Sequence, residues 1–239
     1  METNQIITWD CIDILRGKKI LDKSIDLVLT DPPYQFASKD DRWSWIMKKW
    51  NKLYIKEINN SFWLEYDPTE MLELIKSKMK RFNAYIRTNR HLLDEYIRFA
   101  KNNKYKWEIL LWLKTNPTPL NNWHYLQDKE YCVYIHEWWT TFNSDTWFNN
   151  YFTYYISTKW GWKYKHPTVK PLEFIERMIK ISSNEWDTVL DCYLWSWTTA
   201  VACKNTNRNF IGIEINPKYV QMAEDRLKEQ EQIQQQRLF

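Results

Sequence analysis

A doubly wound, Rossmann-like α/β sheet is the fold this sequence predicts, on three observations. Short apolar runs alternate with amphipathic stretches at both ends of the chain, as in strand–helix–strand units. Residues 25–30 (IDLVLT) form a near-continuous apolar run ending at Asp31-Pro32-Pro33, the pattern of a strand buried on both faces that feeds a loop. Two further runs of this kind, 188–191 and 210–214, are separated by one helical stretch, and each ends in a carboxylate.

The elements follow in order. Residues 6–9 read as a short strand and 25–30 as the next. Residues 35–64 show no sustained period and read as loop. Asp67-Pro68-Thr69-Glu70 is a helix start, with an Asp N-cap, Pro at the first helical position and Glu at the third; that helix is expected to run to about Arg81. A strand is expected at 84–88, a helix at 92–102 and a buried strand at 107–113. Residues 115–165 break the alternation. They hold Pro117, Pro119, several Asn and two strand-like runs, 131–135 and 151–156, and they are the expected place for an inserted element. An amphipathic helix at 171–182, a strand at 188–191, a helix at 198–204 and a strand at 210–214 follow. Asn216-Pro217 opens a last helix that leads into a Gln/Glu-rich tail, 229–239. There is no internal repeat.

At 239 residues the chain is long enough for one catalytic domain with a substantial core. The formal charge of +4 is compatible with nucleic acid, but a solvated surface gives the same count. Cys11, Cys132, Cys192 and Cys203 are scattered without metal-type spacing or a disulfide framework. They read as reduced thiols of a cytoplasmic protein, and no metal is expected. No stretch approaches the roughly 20 apolar residues of a membrane span, and Met-Glu-Thr-Asn-Gln at the N-terminus lacks a signal peptide's basic and apolar regions. One feature is abnormal: 16 Trp against 3 Gly, where glycine is ordinarily about 7% of residues.

Three segments carry chemistry. Asp31-Pro32-Pro33-Tyr34 follows a buried strand. Its prolines stiffen a loop that sets a carboxylate beside backbone carbonyls and an aromatic ring. A planar base bearing an amine suits such a loop, since the carboxylate and a carbonyl accept the two amine hydrogens and the ring stacks. In the second segment, 186–214, a strand ends at Asp191, a tight loop follows, Thr198-Thr199 open a helix, and the next strand ends at Glu214. An acidic residue about 20 positions past a nucleotide loop is placed to bind ribose hydroxyls. The third, His166-Pro-Thr-Val-Lys170-Pro171, reads by chemistry alone as the start of a helix.

Together these segments resemble the DNA amino-methyltransferases. DPPY resembles that family's catalytic motif, HPTVKPLEFIERMI the segment beside its cofactor, and 187–227 its cofactor-binding region. Asp10-Cys11 is similar to a segment near the cofactor's adenine. The resemblance implies S-adenosylmethionine as cofactor. Asp10, Cys11, Lys170, Asp191, Tyr193, Trp195, Ser196, Trp197, Thr198, Thr199 and Glu214 would bind it, and Asp31, Pro32, Pro33 and Tyr34 would be catalytic. The catalytic motif precedes the cofactor motif, an order that resembles the permuted β class. That order implies a catalytic half at 1–115, a target-recognition segment at about 116–164 and a cofactor half at 165–228. The implied partners are double-stranded DNA and a cognate restriction nuclease. The implied reaction is methyl transfer to the amine of a flipped adenine; alternatives are the cytosine amine and a cofactor-less DNA-binding relative.

The cofactor loop departs from the family. Where the family has glycine, this chain has Trp195 and Trp197, and Trp186 and Trp9 also stand at customary glycine positions. One residue type replaces glycine at all four, while Ser196, Thr198, Thr199 and Glu214 remain. The expectation is that these tryptophans are UGA codons that the source organism reads as glycine. Trp43, Trp45, Trp63, Trp123 and one of Trp138/Trp139 are further candidates; Trp107 and Trp112, inside an apolar strand, are expected to be genuine.

Overall fold

Strand β1 (Gln5–Thr8) is followed by Asp10, whose carboxylate accepts the Asp13 amide at 3.2 Å and so starts helix α1 (Cys11–Arg16). The protein is described from a computed structural model that covers residues 1–33, 66–115, 125, 128–143, 151–154, 171–194 and 198–236. Strand β2 (Leu27–Thr30) comes next, then α2 (Pro68–Lys78), β3 (Asn83–Thr88), α3 (Leu93–Asn102), β4 (Lys106–Lys114), β5 (Lys129–His136) and β6 (Tyr151–Tyr154). Helix α4 (Leu172–Ser182), β7 (Thr188–Asp191), α5 (Thr198–Asn205), β8 (Asn209–Glu214) and α6 (Pro217–Gln236) complete the described elements.

The strands make one sheet in the order β1-β8-β7-β2-β3-β5-β4-β6. Neighbours are parallel except around β5, which runs antiparallel to both β3 and β4. Strand β2 is buried on both faces, as its unbroken apolar run requires. Val28 packs with Ile14, Leu15, Met71, Ile75 and Tyr96 of α1–α3, while Leu27 and Leu29 pack with Phe174, Met178, Val201 and Leu227 of α4–α6. Helices therefore cover both faces, and the sheet is doubly wound as predicted.

Local signals set most boundaries. Asp67 caps α2, its Oδ1 accepting the Thr69 amide at 2.8 Å, with Pro68 at the first helical position. Three features differ from expectation. Helix α1 is too short to show a period and is marked only by its cap. Strand β2 begins at Leu27 because Ile25 makes an isolated bridge to Met79. Helix α6 continues through the Gln/Glu-rich stretch to Gln236, both residue types being strong helix formers. The runs expected at 131–135 and 151–156 are β5 and β6, members of the main sheet.

Among the described residues, Asn4, Lys23, Lys104, Trp139, Trp186 and Asn207 have positive φ, and no glycine does.

Candidate active site

The chain leaves β7 through α5 to reach β8 on one side, and leaves β2 to reach β3 on the other. The sheet order thus reverses between β7 and β2, and the carboxyl ends of strands at such a switch form a crevice where ligands bind. Asp191 ends β7 and Asp31 follows β2, so the switch carries a carboxylate on each side. The register Leu27↔Val189 and Val28↔Leu190 carries Asp31 just past the level of Asp191.

Asp191 is buried. Its Oδ2 accepts the Thr199 hydroxyl at 2.6 Å and its Oδ1 the Tyr193 amide at 3.1 Å. Burial pushes its carboxyl up to about 7, against the pull of those two hydrogen bonds, and the nearby Asp31 charge pushes the same way. Past Asp191 the chain folds across β8: the Leu194 amide donates to the Ile213 carbonyl at 2.9 Å, and its side chain lies on Gly212. A Cβ on Gly212 would sit 2.6 Å from Leu194 Cδ2, so any larger residue here would force Leu194 to shift.

Two more carboxylates share the edge. Glu214 ends β8 and accepts the Asn216 amide at 2.9 Å; Thr8 of β1 pairs with it, and Asp10 follows two residues later. Cys11 and Cys192 are both buried there, and burial, with the Cys192 thiol nearby, pushes the Cys11 thiol well up. Tyr193 meets Tyr66 edge-on at 6.3 Å, and the Tyr66 hydroxyl lies 2.8 Å from that of Tyr96. On the other side of Asp31 lies Arg87 of β3. Its side chain is 3% exposed, and its Nε lies 3.9 Å from Asp31 Oδ2. Arg87 also pairs with Glu130 of β5, and Glu130 pairs with Lys114 of β4 at 2.7 Å.

The sequence profile of the DNA methylase family matches residues 25–225. The chain belongs to that family. Among its relatives, the type II methyltransferase M.HinfI of Haemophilus influenzae is 30% identical over 258 aligned residues, covering 95% of this chain and 68% of that protein. The type II methyltransferase M.HpaI of Haemophilus parainfluenzae is 53% identical, but over 62 residues, 26% of this chain and 20% of that protein. The chain thus matches about a fifth of M.HpaI's length. The crystal structure of the M1.HpyAVI–SAM complex superposes with a TM-score of 0.69 at 25% identity, covering 93% of this chain and 98% of that one.

The fold brings together Asp10, Cys11, Asp31, Pro32, Pro33, Asp191, Tyr193, Thr198, Thr199 and Glu214 along one sheet edge. Tyr34, Lys170, Trp195, Ser196 and Trp197 lie outside the described residues, as does most of the His166–Pro171 segment. Sequence reasoning missed Arg87, Glu130 and Lys114. The signal for Arg87 was a charge inside a fully buried strand, NAYIRT.

Proposed function

We propose that this chain is a site-specific methyltransferase that acts on the exocyclic amine of adenine in double-stranded DNA, with S-adenosylmethionine as methyl donor. The observation that carries the reading is the pair of strand-end carboxylates, Asp31 and Asp191, on either side of the sheet's switch point. The residues present fit the cofactor's chemistry. Asp191 is a buried acid, and a cationic ligand offsets the cost of its charge. Glu214 is placed to accept ribose hydroxyls, and Asp10 adds a fourth carboxylate to the edge. Asp10, Cys11, Asp191, Tyr193, Thr198, Thr199 and Glu214 would hold the cofactor, with Lys170 and residues 195–197 completing the site. When bound, the cofactor supplies an electrophilic sulfonium methyl group.

The chain's own part is positioning and electrostatics. Asp31 and the backbone near Pro33 accept the two amine hydrogens, which orients the nitrogen lone pair and strengthens it as a nucleophile. Tyr34 stacks on the base, held outside the duplex because its amine is otherwise engaged in pairing. As the new nitrogen–carbon bond forms, the methyl carbon–sulfur bond would break with its electron pair going to sulfur, leaving a neutral thioether, and the amine gives up one proton toward the Asp31 carboxylate and solvent. Asp rather than Ser at the head of the Pro-Pro-Tyr loop supports adenine over the cytosine amine. Methylating DNA with the purified protein and separating the nucleosides tests this: N6-methyl-2′-deoxyadenosine is the expected product, and N4-methyl-2′-deoxycytidine alone would overturn the adenine assignment. The catalytic, recognition and cofactor boundaries given above are part of the proposal, with the parts of 116–164 outside β5 choosing the site, since β5 belongs to the main sheet. Exchanging that segment for a relative's should change the methylated sequence. A restriction–modification setting in the cytoplasm, with a cognate nuclease as partner, accords with the type II relatives. Among the described residues no helix is long and apolar enough to cross a membrane.

Cofactor binding sets a condition on the loop. Where the family has glycine, indoles at 195 and 197 would take volume and backbone freedom that a cofactor loop needs. Calorimetric titration should show S-adenosylmethionine binding when glycine stands at 9, 186, 195 and 197, and little or none with tryptophan there. Without such binding in either form, the cofactor-less reading stands.

A further inference from the structure

Two turns place a tryptophan where an L-residue is strained. Asn184-Glu185-Trp186-Asp187 closes with the Asp187 amide on the Asn184 carbonyl at 3.2 Å, and Trp186, third of the four, has φ of 70°. At Glu137-Trp138-Trp139-Thr140, Trp139 is again third, with φ of 67°. The third position of a four-residue turn with positive φ is the type II position that glycine fills. Neither indole compensates by packing: Trp186 is 71% exposed and Trp139 88%. Trp186 is instead held by its backbone, the amide donating to the Asn207 carbonyl and the carbonyl accepting from the Asn209 side chain, both at 2.7 Å. The other positive-φ residues described are Asn and Lys. Trp107 and Trp112 behave differently: Trp112 is 6% exposed beneath the Arg87 guanidinium, and Trp107 packs on the core in β4.

We infer that tryptophan at 139 and 186 stands for UGA codons that the source cell translates as glycine, and that the same holds at exposed Trp9. The composition agrees: glycine and tryptophan together make up roughly 8% of the chain, near glycine's ordinary share. The backbone also selects Trp139 over Trp138, whose φ is not positive and whose ring carries Lys106 Nζ at 4.2 Å. The decisive measurement is the mass of tryptic peptides of the protein isolated from its own cells. The peptide 181–204 contains positions 186, 195 and 197, and 130–159 contains 139. Glycine masses are expected; a peptide with tryptophan at 186 or 139 overturns the inference. In recombinant protein, Trp186→Gly and Trp139→Gly should each raise the melting temperature by about 2–4 °C, and Trp107→Gly should lower it. A fall at both turn sites would overturn the strain argument. Neither arm measures methyl transfer, so both stand apart from the proposed reaction.

A second inference concerns Asp31 and rests on the proposed methyl transfer. The Arg87 guanidinium lies 5.2 Å from the Trp112 ring centroid and 5.9 Å from that of Phe174, two aromatic walls that limit its motion. Glu130 holds one end of it and is itself held by Lys114, whose Nζ also lies over Trp112. The guanidinium thus presents Nε to Asp31 from a fixed, desolvated position, where a charge acts more strongly than at the surface. The geometry points to Arg87 as the positioning residue for the Asp31 carboxylate, with Glu130 and Lys114 as its anchors.

In the form that binds cofactor, Arg87→Gln should lower kcat about 10–100-fold while leaving the Kd for S-adenosylmethionine within about twofold. Arg87→Lys should recover part of that loss, and Glu130→Gln, which keeps the guanidinium but frees it, should lose less than Arg87→Gln. Near-normal kcat in Arg87→Gln overturns the proposal, and so does loss of cofactor binding in step with kcat. If Arg87→Gln fails to fold, Glu130→Gln decides, with unchanged kcat counting against. A wild-type enzyme with no transfer at all would sink the proposed function rather than this assignment.

Discussion

On the β1-β8-β7-β2 side of the sheet every strand is parallel to its neighbour, and the strand ends present Asp10, Glu214, Asp191 and Asp31. On the β3-β5-β4 side one strand runs backwards, and the same edge presents Arg87 and Lys114 with Glu130 between them. Reversal of β5 is what puts Glu130 there: its amino end lies beside the carboxyl ends of its neighbours, with Thr88↔Tyr131 and Trp112↔Glu130 paired. On the proposed function, the acidic half would take the cationic cofactor, and the basic half would hold the acid that faces the target base. One sheet would thus serve two binding tasks through a single reversed strand.

The largest expected effect separates the halves by function. Asp31→Ala should lower methyl transfer by roughly 100–1,000-fold, the usual cost of removing one well-placed acceptor or donor from a reacting group. Cofactor affinity should stay within a few-fold. Radiolabelled transfer and calorimetry on the same preparation check it. Near-normal turnover, or cofactor affinity lost together with turnover, would erase the division.

That division also decides what was legible in the sequence. In the parallel half each site residue directly follows the strand that places it, so an apolar run ending in Asp or Glu shows element and site together. Asp31, Asp191 and Glu214 were readable for this reason. Arg87 left one local signal, a charge inside a buried strand, but Glu130 and Lys114 lie on two other strands that join it through antiparallel pairing, and pairing partners leave no local pattern. Helix α1 escaped notice because six residues cannot show a helical period, although its Asp10 cap stood in plain view. The turns at 139 and 186 show the converse: composition flagged the tryptophans, and backbone angle selected among them.

The next effect is a pH dependence on the acidic side. Burial pushes the Asp191 carboxyl from 3.8 to about 7 in the folded protein. The folded state therefore holds this proton more tightly than the unfolded chain does. Its contribution to stability is full below pH 4 and is lost as pH rises to about 7. Across that window the wild-type protein should lose on the order of a few kcal/mol relative to Asp191→Asn, which carries no titrating proton there. Urea melts of both proteins at pH 4.5 and pH 8 measure the difference. Parallel pH profiles for the two would mean that Asp191 is not held by burial.

The smallest expected effect tests whether the loop after Asp191 is fixed by packing or only by its hydrogen bonds. Gly212 lies opposite Asp191 in the β7–β8 register, and the Leu194 side chain covers it. Gly212→Ala brings a methyl group to 2.6 Å from Leu194 Cδ2 and 3.1 Å from its Cγ. The obstructing atoms end a branched side chain that is itself buried, so Leu194 must turn or the loop must lift. Overpacking of this kind costs roughly 1–3 kcal/mol, and the lower end applies if a rotamer change suffices. Leu194→Ala removes the obstruction at the cost of a cavity. The double variant should therefore lose less stability than the two single losses combined, by about 0.5 kcal/mol or more. A loop that lifts also draws the Tyr193 amide away from Asp191, so Gly212→Ala should weaken S-adenosylmethionine binding more than it lowers the melting temperature would suggest. The Leu194→Ala partner should restore part of that affinity. Strict additivity in stability and unchanged affinity would together show that the Leu194–Gly212 contact does not hold the cofactor loop.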